Sequence, residues 1–154
     1  MNIKFRYLIG FILVAGNYFT LLSFLQSPEE NIIGEWKEVS WEYEKIDSLA
    51  SDDSFDYMVT DHIKQQISRN LIIHEAEVWR FGKNEMLEMK GNGLSKSLHW
   101  KLKGRGNILQ LNGTHKNIEH YLIQELNSER MILHFNIDMQ VRGIVKMTFE
   151  RINA

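Results

Sequence analysis

Hydrophobic and polar residues alternate along most of this chain. Met131, Leu133, Phe135 and Ile137 take every second position, as do Val145, Met147, Phe149 and Arg151. A period of two sends successive side chains to opposite faces of a strand, so each run predicts a strand with one buried face. Leu94, Lys96, Leu98, Trp100 and Leu102 share one phase, against Ser95, Ser97, His99 and Lys101 in the other. Shorter strands are predicted over 72–81, 85–90, 108–111 and 118–126. The first strand runs over 33–44, with Val39, Trp41 and Tyr43 in one phase and Trp36 in the other. That slip predicts a bulge near Glu38.

The breaks between these runs carry turn chemistry: Gly82-Lys83-Asn84, Gly91-Asn92-Gly93, Gly104-Arg105-Gly106-Asn107, Asn112-Gly113 and Asn127-Ser128-Glu129. Asn-Gly tolerates positive φ at both positions and is a strong hairpin signal. Eight strands joined by such turns predict an all-β domain, an eight-stranded up-and-down antiparallel barrel that removes its edges by closing. One segment departs from the pattern. Phe55, Met58, Val59, His62, Ile63 and Ile67 lie on one face of a 3.6-residue period, with Ser54 or Asp53 as cap. They predict one helix over 54–69, inserted between strands 1 and 2, after an acidic loop at 47–54.

Residues 7–28 carry no charge, and the charges before them are Lys4 and Arg6. A basic start followed by an apolar stretch predicts export. The stretch 7–25 approaches the roughly 20 residues that span a bilayer. No clean small-x-small cleavage site follows, so a cleaved signal and a retained anchor both stand as readings. The expected organisation is an export signal or membrane anchor over 1–27, a linker over 28–31 and the barrel over 32–153. The expected location is the periplasm or cell envelope, either soluble after cleavage or membrane-attached through 7–25.

Composition narrows the chemistry. The chain has no cysteine, which removes disulfides, thiolate metal sites and cysteine nucleophiles. Net charge is −2 and no basic block occurs, so nucleic acid is not an expected partner. None of the six histidines forms His-x-His on a strand or a pair four apart on a helix, His115 and His120 across a turn give only a weak metal hint, and the strand-face pair Glu75 and Glu77 reads as solvated. No nucleophile elbow, phosphate loop or dinucleotide fingerprint is present. No catalytic residue, metal or cofactor is expected, and the chain reads as no enzyme. Asp47-Ser48-Leu49 and Asn112-Gly113-Thr114 match short glycosylation patterns, the second of which the hairpin turn already explains.

Ile33-Gly34-Glu35-Trp36-Lys37, followed by Trp79-Arg80-Phe81, Tyr121-Leu122-Ile123, Met131-Ile132-Leu133 and Met147-Thr148-Phe149-Glu150-Arg151-Ile152, resembles lipocalin-like domains, particularly the small exported ones common in Bacteroidetes. The resemblance implies that Trp36 closes one end of the barrel beneath a basic side chain from the last strand. Arg151 fills that role, with Arg142 as the other candidate, and a guanidinium over an indole face contributes about 0.5–2 kcal/mol. Gly34, Trp36 and Arg151 would be the closure. A ligand would then meet the opposite end, near the helix.

Trp41, Trp79, Trp100, Tyr121 and Phe135 fall on inward faces and would line a pocket, with Arg142 as a lone cation for an anionic group. A tightly packed core would use the same residues. Two features depart from the family. There is no cysteine for lipid attachment, and the insertion over 44–70 is long. Fatty-acid-binding proteins also carry helices there, but the Arg-x-Tyr pair with which they bind a carboxylate is missing. The expectation is an exported, non-enzymatic barrel that binds a small apolar or amphipathic ligand. The alternative is a membrane-tethered module that meets an envelope protein through 44–70.

Overall fold

The computed structural model describes residues 27–45, 57–74, 76–113, 117–138 and 142–152. A short helix, α1 (Pro28–Ile32), leads into β1 (Gly34–Lys45). A two-residue strand, β2 (Tyr57–Met58), and helix α2 (Asp61–Ser68) follow. Seven strands then run in sequence: β3 (Val78–Phe81), β4 (Met86–Gly91), β5 (Leu94–Lys103), β6 (Ile108–Asn112), β7 (Ile118–Leu126), β8 (Arg130–Asp138) and β9 (Arg142–Arg151). Each of β3 to β9 pairs antiparallel with the next, β3 pairs with β1, and β9 returns to β1. This is a closed eight-stranded up-and-down antiparallel barrel of lipocalin-like topology, with β2 added on the outside of β1 and a helix inserted after β1.

The closing ladder between β1 and β9 runs from Trp36↔Arg151 to Lys45↔Gly143. Its register shifts between Glu38 and Ser40. Val39 is the extra residue and is 53% exposed, so it leaves the inward set that its spacing to Trp41 suggested. The bulge lets Trp36 and Trp41, five residues apart, both point inward. A second shift lies in β7 between Ile123 and Glu125.

One end of the barrel is a built floor. Residues 28–31, expected as a linker, coil into α1, with Pro28 in its first turn and the Ser27 hydroxyl accepting from Glu30 N. Trp36 is fully buried, and its indole Nε1 donates to Ile32 O at 2.8 Å. The Arg151 guanidinium lies 4.3 Å from the Trp36 ring centroid. It donates from Nη1 to Ile33 O (2.7 Å), from Nε to Ser128 O (2.5 Å) and from Nη2 to Asn31 O. Gly34 makes room for this with φ +133; a Cβ there would stand 2.3 Å from Arg151 Nη1.

Two elements differ from the sequence pattern. The helix begins at Asp61, after Thr60, because Tyr57 and Met58 pair instead with Tyr43 and Glu42 of β1. The far half of β1 has a backbone edge that the four-residue β3 does not reach, and β2 takes it, with Val59 N donating to Trp41 O. Phe55, expected on the same helix face, lies outside the described residues. The strand expected from Ile72 starts at Val78. Residues 69–74 form successive turns whose alternating Leu71 and Ile73 mimic a strand, and Ile73 and Ala76 are buried over the second end of the barrel.

Gly34→Ala should destabilise the fold by about 1–3 kcal/mol, since an alanine would hold a rare backbone conformation and collide with the guanidinium. Guanidinium chloride unfolding would read this as a lower midpoint with an unchanged slope. An unaltered midpoint would show that the floor has slack.

Candidate functional site

The inward faces bring together the aromatic residues that the strand phases selected. Trp79 contacts Tyr121 edge-on at 6.4 Å and Phe149 at 4.9 Å. Tyr121 meets Phe135 at 5.5 Å, Phe135 meets Trp41 at 5.7 Å, and Phe81 meets Trp100 at 5.3 Å. The edge-to-face tilt of most pairs sets the positive ring edge against a neighbour's negative face. Trp79, Phe81, Tyr121 and Phe149 are at most 1% exposed, so the middle of the barrel is packed. The backbone of Arg142 pairs with Asp138 at the start of β9; its side chain lies outside the described residues.

The packed interior carries polar atoms without matching partners. The indole N–H groups of Trp41, Trp79 and Trp100 are buried and close no hydrogen bond. A buried donor left unmade costs about 1–3 kcal/mol, so such groups are unusual in a core selected for packing alone. The Trp41 N–H stands beside the Glu38 carboxylate and favours its charge without closing a bond of good geometry.

At the end opposite the floor, the segment from Ile67 to Ala76 forms a mouth plug. Ile67, Ile73 and Ala76 are its buried apolar residues. Polar attachments of the plug and of the preceding α2 go to two carboxylates in the inward phase of their strands. Ile72 N donates to Glu119 Oε1 at 2.8 Å, and the other Glu119 oxygen accepts from Tyr121 OH at 2.5 Å. Lys64 of α2 pairs with Glu38 and lies 5.3 Å from the Trp41 ring centroid. Lys96 Nζ donates to His74 O, and Ser68 Oγ bonds His74 Nδ1.

Burial pushes the Glu38 carboxyl up from its ordinary value; Lys64 opposes this by hydrogen bond and charge, and Glu77 adds repulsion. Burial, reinforced by the charge of Glu119 and the hydrogen bond to it, raises the Tyr121 phenol well above its ordinary value.

Glu38, Glu119, Lys64 and Phe81 were not singled out from the sequence. Glu38 sits at the phase slip, and Glu119 shares a phase with Tyr121; a charged residue in an inward phase was the available signal. Among the described residues, no three His, Asp or Glu side chains group as metal ligands, and no helix is long and apolar enough to cross a membrane. Residues 7–25 lie outside the described residues, as does Glu75.

Among the described residues a hollow of about 910 Å³ lies at the floor end rather than beside α2. It opens between α1, the β3–β4 turn and β5, lined by Ile33, Trp100 and Leu102 with charged side chains around them. Beside α2 is a smaller polar hollow of about 180 Å³, lined by Lys64, Ser68, His74 and Glu77 among others.

The sheet order and the floor define the class: a lipocalin-like barrel. No family model matches the chain, and neither does any curated protein. Among solved structures it is similar to a complex of bovine odorant binding protein with undecanal, at TM-score 0.43 and 13% identity over 84% of this chain and 76% of that one. A complex of the same bovine protein with a selenium-containing odorant gives 0.42 and 10% over 84% and 74%. Its complex with its natural ligand gives 0.42 and 12% over 80% and 73%.

The raised Glu38 carboxyl fixes the sign of a pH effect. The folded state holds this proton more tightly than the unfolded chain, so folding takes up protons between the ordinary value of 4.5 and the higher folded one. The contribution of Glu38 to stability is therefore greatest at low pH and falls as pH rises through that window, by at most about 1.4 kcal/mol per pH unit. Denaturant titrations between pH 4 and pH 8 should show a flatter profile for Glu38→Gln than for the parent chain. Identical slopes would mean that Glu38 does not bear the shift.

Proposed function

We propose that this chain is an exported, non-enzymatic lipocalin-like protein that binds a small apolar or amphipathic molecule in its barrel. The observation that supports this most directly is the way the mouth is held. The plug from Ile67 to Ala76 is tied to the barrel by polar contacts to Glu119 and Lys96 and by its buried Ile67, Ile73 and Ala76, not by strand pairing, and the preceding Lys64 of α2 pairs with Glu38. A plug held by a few exchangeable polar bonds opens more readily than a sheet, because local opening breaks few contacts at once. Behind it stand Trp41, Phe135 and Tyr121, rings that offer apolar surface and a few polar tips, as in small-molecule pockets.

A second reading rests on a separate observation. Met58 of β2 is 69% exposed and Ile63 of α2 is 45% exposed, so the insertion over 44–70 presents large apolar side chains outward. In this reading the chain is held at the membrane by 7–25 and the insertion meets an envelope protein. The export and envelope location in both readings rest on Lys4 and Arg6 followed by the uncharged stretch 7–28.

Native mass spectrometry of the protein purified from its own host is expected to show a bound molecule of a few hundred daltons that organic solvent removes. A spectrum holding the bare chain alone, together with recovery of a stable envelope-protein complex lost in Met58→Ser/Ile63→Ser, would replace the first reading with the second.

A further inference from the structure

A cation already stands in the wall of the barrel mouth. Lys64 of α2 pairs with Glu38, and its ammonium lies 5.3 Å from the Trp41 ring centroid. A carboxylate on one side and an indole face on another is the chemistry that recognises an alkyl ammonium. The place is a gap in the sheet. The pairing of β1 with β3 ends at Lys37↔Val78, and Glu38 N donates to Glu77 O at 2.8 Å just beyond it. The Glu38 side chain, 10% exposed, turns inward at this split.

Lys64 does not complete this place. It reaches one Glu38 oxygen; the other, Oε2, is buried and closes no hydrogen bond. Burial holds the Glu38 carboxyl above its ordinary value even with the ammonium beside it, and Glu77 adds repulsion. The approach is acidic as well. The hollow of about 180 Å³ beside α2 is bordered by Lys64 itself, with Asp61 and Glu77 as its carboxylates. The Lys64 side chain is 20% exposed, so its withdrawal into this hollow uncovers Glu38. A free ammonium carries three donors without a helix tether and can take both Glu38 oxygens. Beside Trp41 stands Phe135 at 5.7 Å, and then Tyr121, a run of rings for an alkyl tail.

We propose that the ligand of the barrel is an alkyl ammonium, a primary amine with an apolar tail, whose head displaces Lys64 from its place between the Glu38 carboxylate and the Trp41 ring. This rests on the reading of the barrel as a small-molecule site and names the class of molecule that the site takes. Lys64 is then a built-in competitor. It fills the cation place while the mouth is closed and leaves it when the ligand arrives. An alkyl carboxylate meets the like charges of Asp61, Glu77 and Glu38, and an uncharged alcohol brings a tail without the ion pair.

Calorimetric titration of the full chain at pH 8 with octylamine, octanol and octanoate separates the head group from the tail. Octylamine should bind at least about tenfold more tightly than octanol, the worth of one hydrogen bond to a charged group, and octanoate should bind weakest. Glu38→Gln should remove the preference for octylamine over octanol. Lys64→Met should raise it, because the competing ammonium is gone. Glu88→Gln, which removes a carboxylate from the exposed pair with Arg80, should leave both affinities unchanged. Should Glu38→Gln or Lys64→Met fail to fold, photolabelling of the unaltered chain with an alkylamine bearing a diazirine beside its nitrogen decides. Label on Glu38, Trp41 or Lys64 supports the site, and label elsewhere overturns it. Octanol or octanoate binding as tightly as octylamine, or a preference that survives Glu38→Gln, overturns the ammonium head and leaves a barrel ligand standing. Equal shifts of octylamine and octanol in Lys64→Met would make Lys64 a structural tie alone and overturn it too. No binding by any of the three overturns the ammonium head together with the barrel reading beneath it.

Discussion

The barrel depends on one cation. Arg151, at the end of the last strand, reaches three backbone carbonyls in three places: Asn31 in α1, Ile33 at the entry to β1 and Ser128 in the β7–β8 turn. Its flat face lies on Trp36. Among the described residues no carboxylate pairs with it, and its contacts are to backbone dipoles and ring electrons. Burial lowers its pKa from the ordinary value, yet a guanidinium stays protonated in proteins and keeps donating. A lysine has a single rotatable head and no planar face, so it could not make these contacts at once. The consequence is topological. β1 and β9 are the first and last strands of the barrel, and their joining turns a sheet with two edges into one with none. Arg151 and Trp36 begin that joining ladder, and Gly34 is the residue without which the guanidinium could not approach.

The opposite end follows from what β1 does after its bulge. Because β3 is only four residues long, β1 leaves β3 at Lys37 and continues without it. Its exposed edge recruits β2, and the chain then covers the gap with α2 and the turns up to Ala76. Covering a barrel mouth with irregular backbone leaves amides to be satisfied, and Glu119 takes the one from Ile72. Glu38, turned inward at the bulge, takes Lys64. Both carboxylates occupy inward phases where aliphatic residues would pack, and both hold the plug. Their position trades core packing for attachment of a segment that has no strand pairing.

How much of this was legible follows from what each signal encodes. Strand order came from period-two alternation and turn residues, which report local backbone and one buried face. The two-residue hairpin read at Asn112-Gly113 does not form, since Asn112 ends β6 opposite Ile118 and neither residue has positive φ, whereas β7 over Ile118–Leu126 and the bulge beside Glu38 come from such local rules. The helix start did not, because Met58 and Val59 fit the helical face and also the free edge of β1, and only the tertiary edge decides between them. The strand read from Ile72 failed for the same reason: alternation marks burial on one side and does not distinguish a strand from a plug. Of the site residues, the inward aromatics followed from phase alone. Glu38 and Glu119 did not, since their role needs a partner brought from Lys64 or Ile72, far away in the chain.

The two ends therefore differ in kind. At the floor, one guanidinium and one indole draw on backbone carbonyls, which no ordinary change of pH alters. At the mouth, the ties run through the carboxylates of Glu38 and Glu119 and the ammonium groups of Lys64 and Lys96. Opening the mouth would return Glu38 to water and relieve the desolvation that raises its pKa, so part of the cost of losing the Lys64 contact is offset by rehydration. At the floor, withdrawing Arg151 would strand three carbonyls and uncover Trp36 with nothing gained except hydration of the guanidinium. The floor is thus held by contacts that pH leaves alone, and the mouth by side-chain charges whose loss rehydration partly offsets.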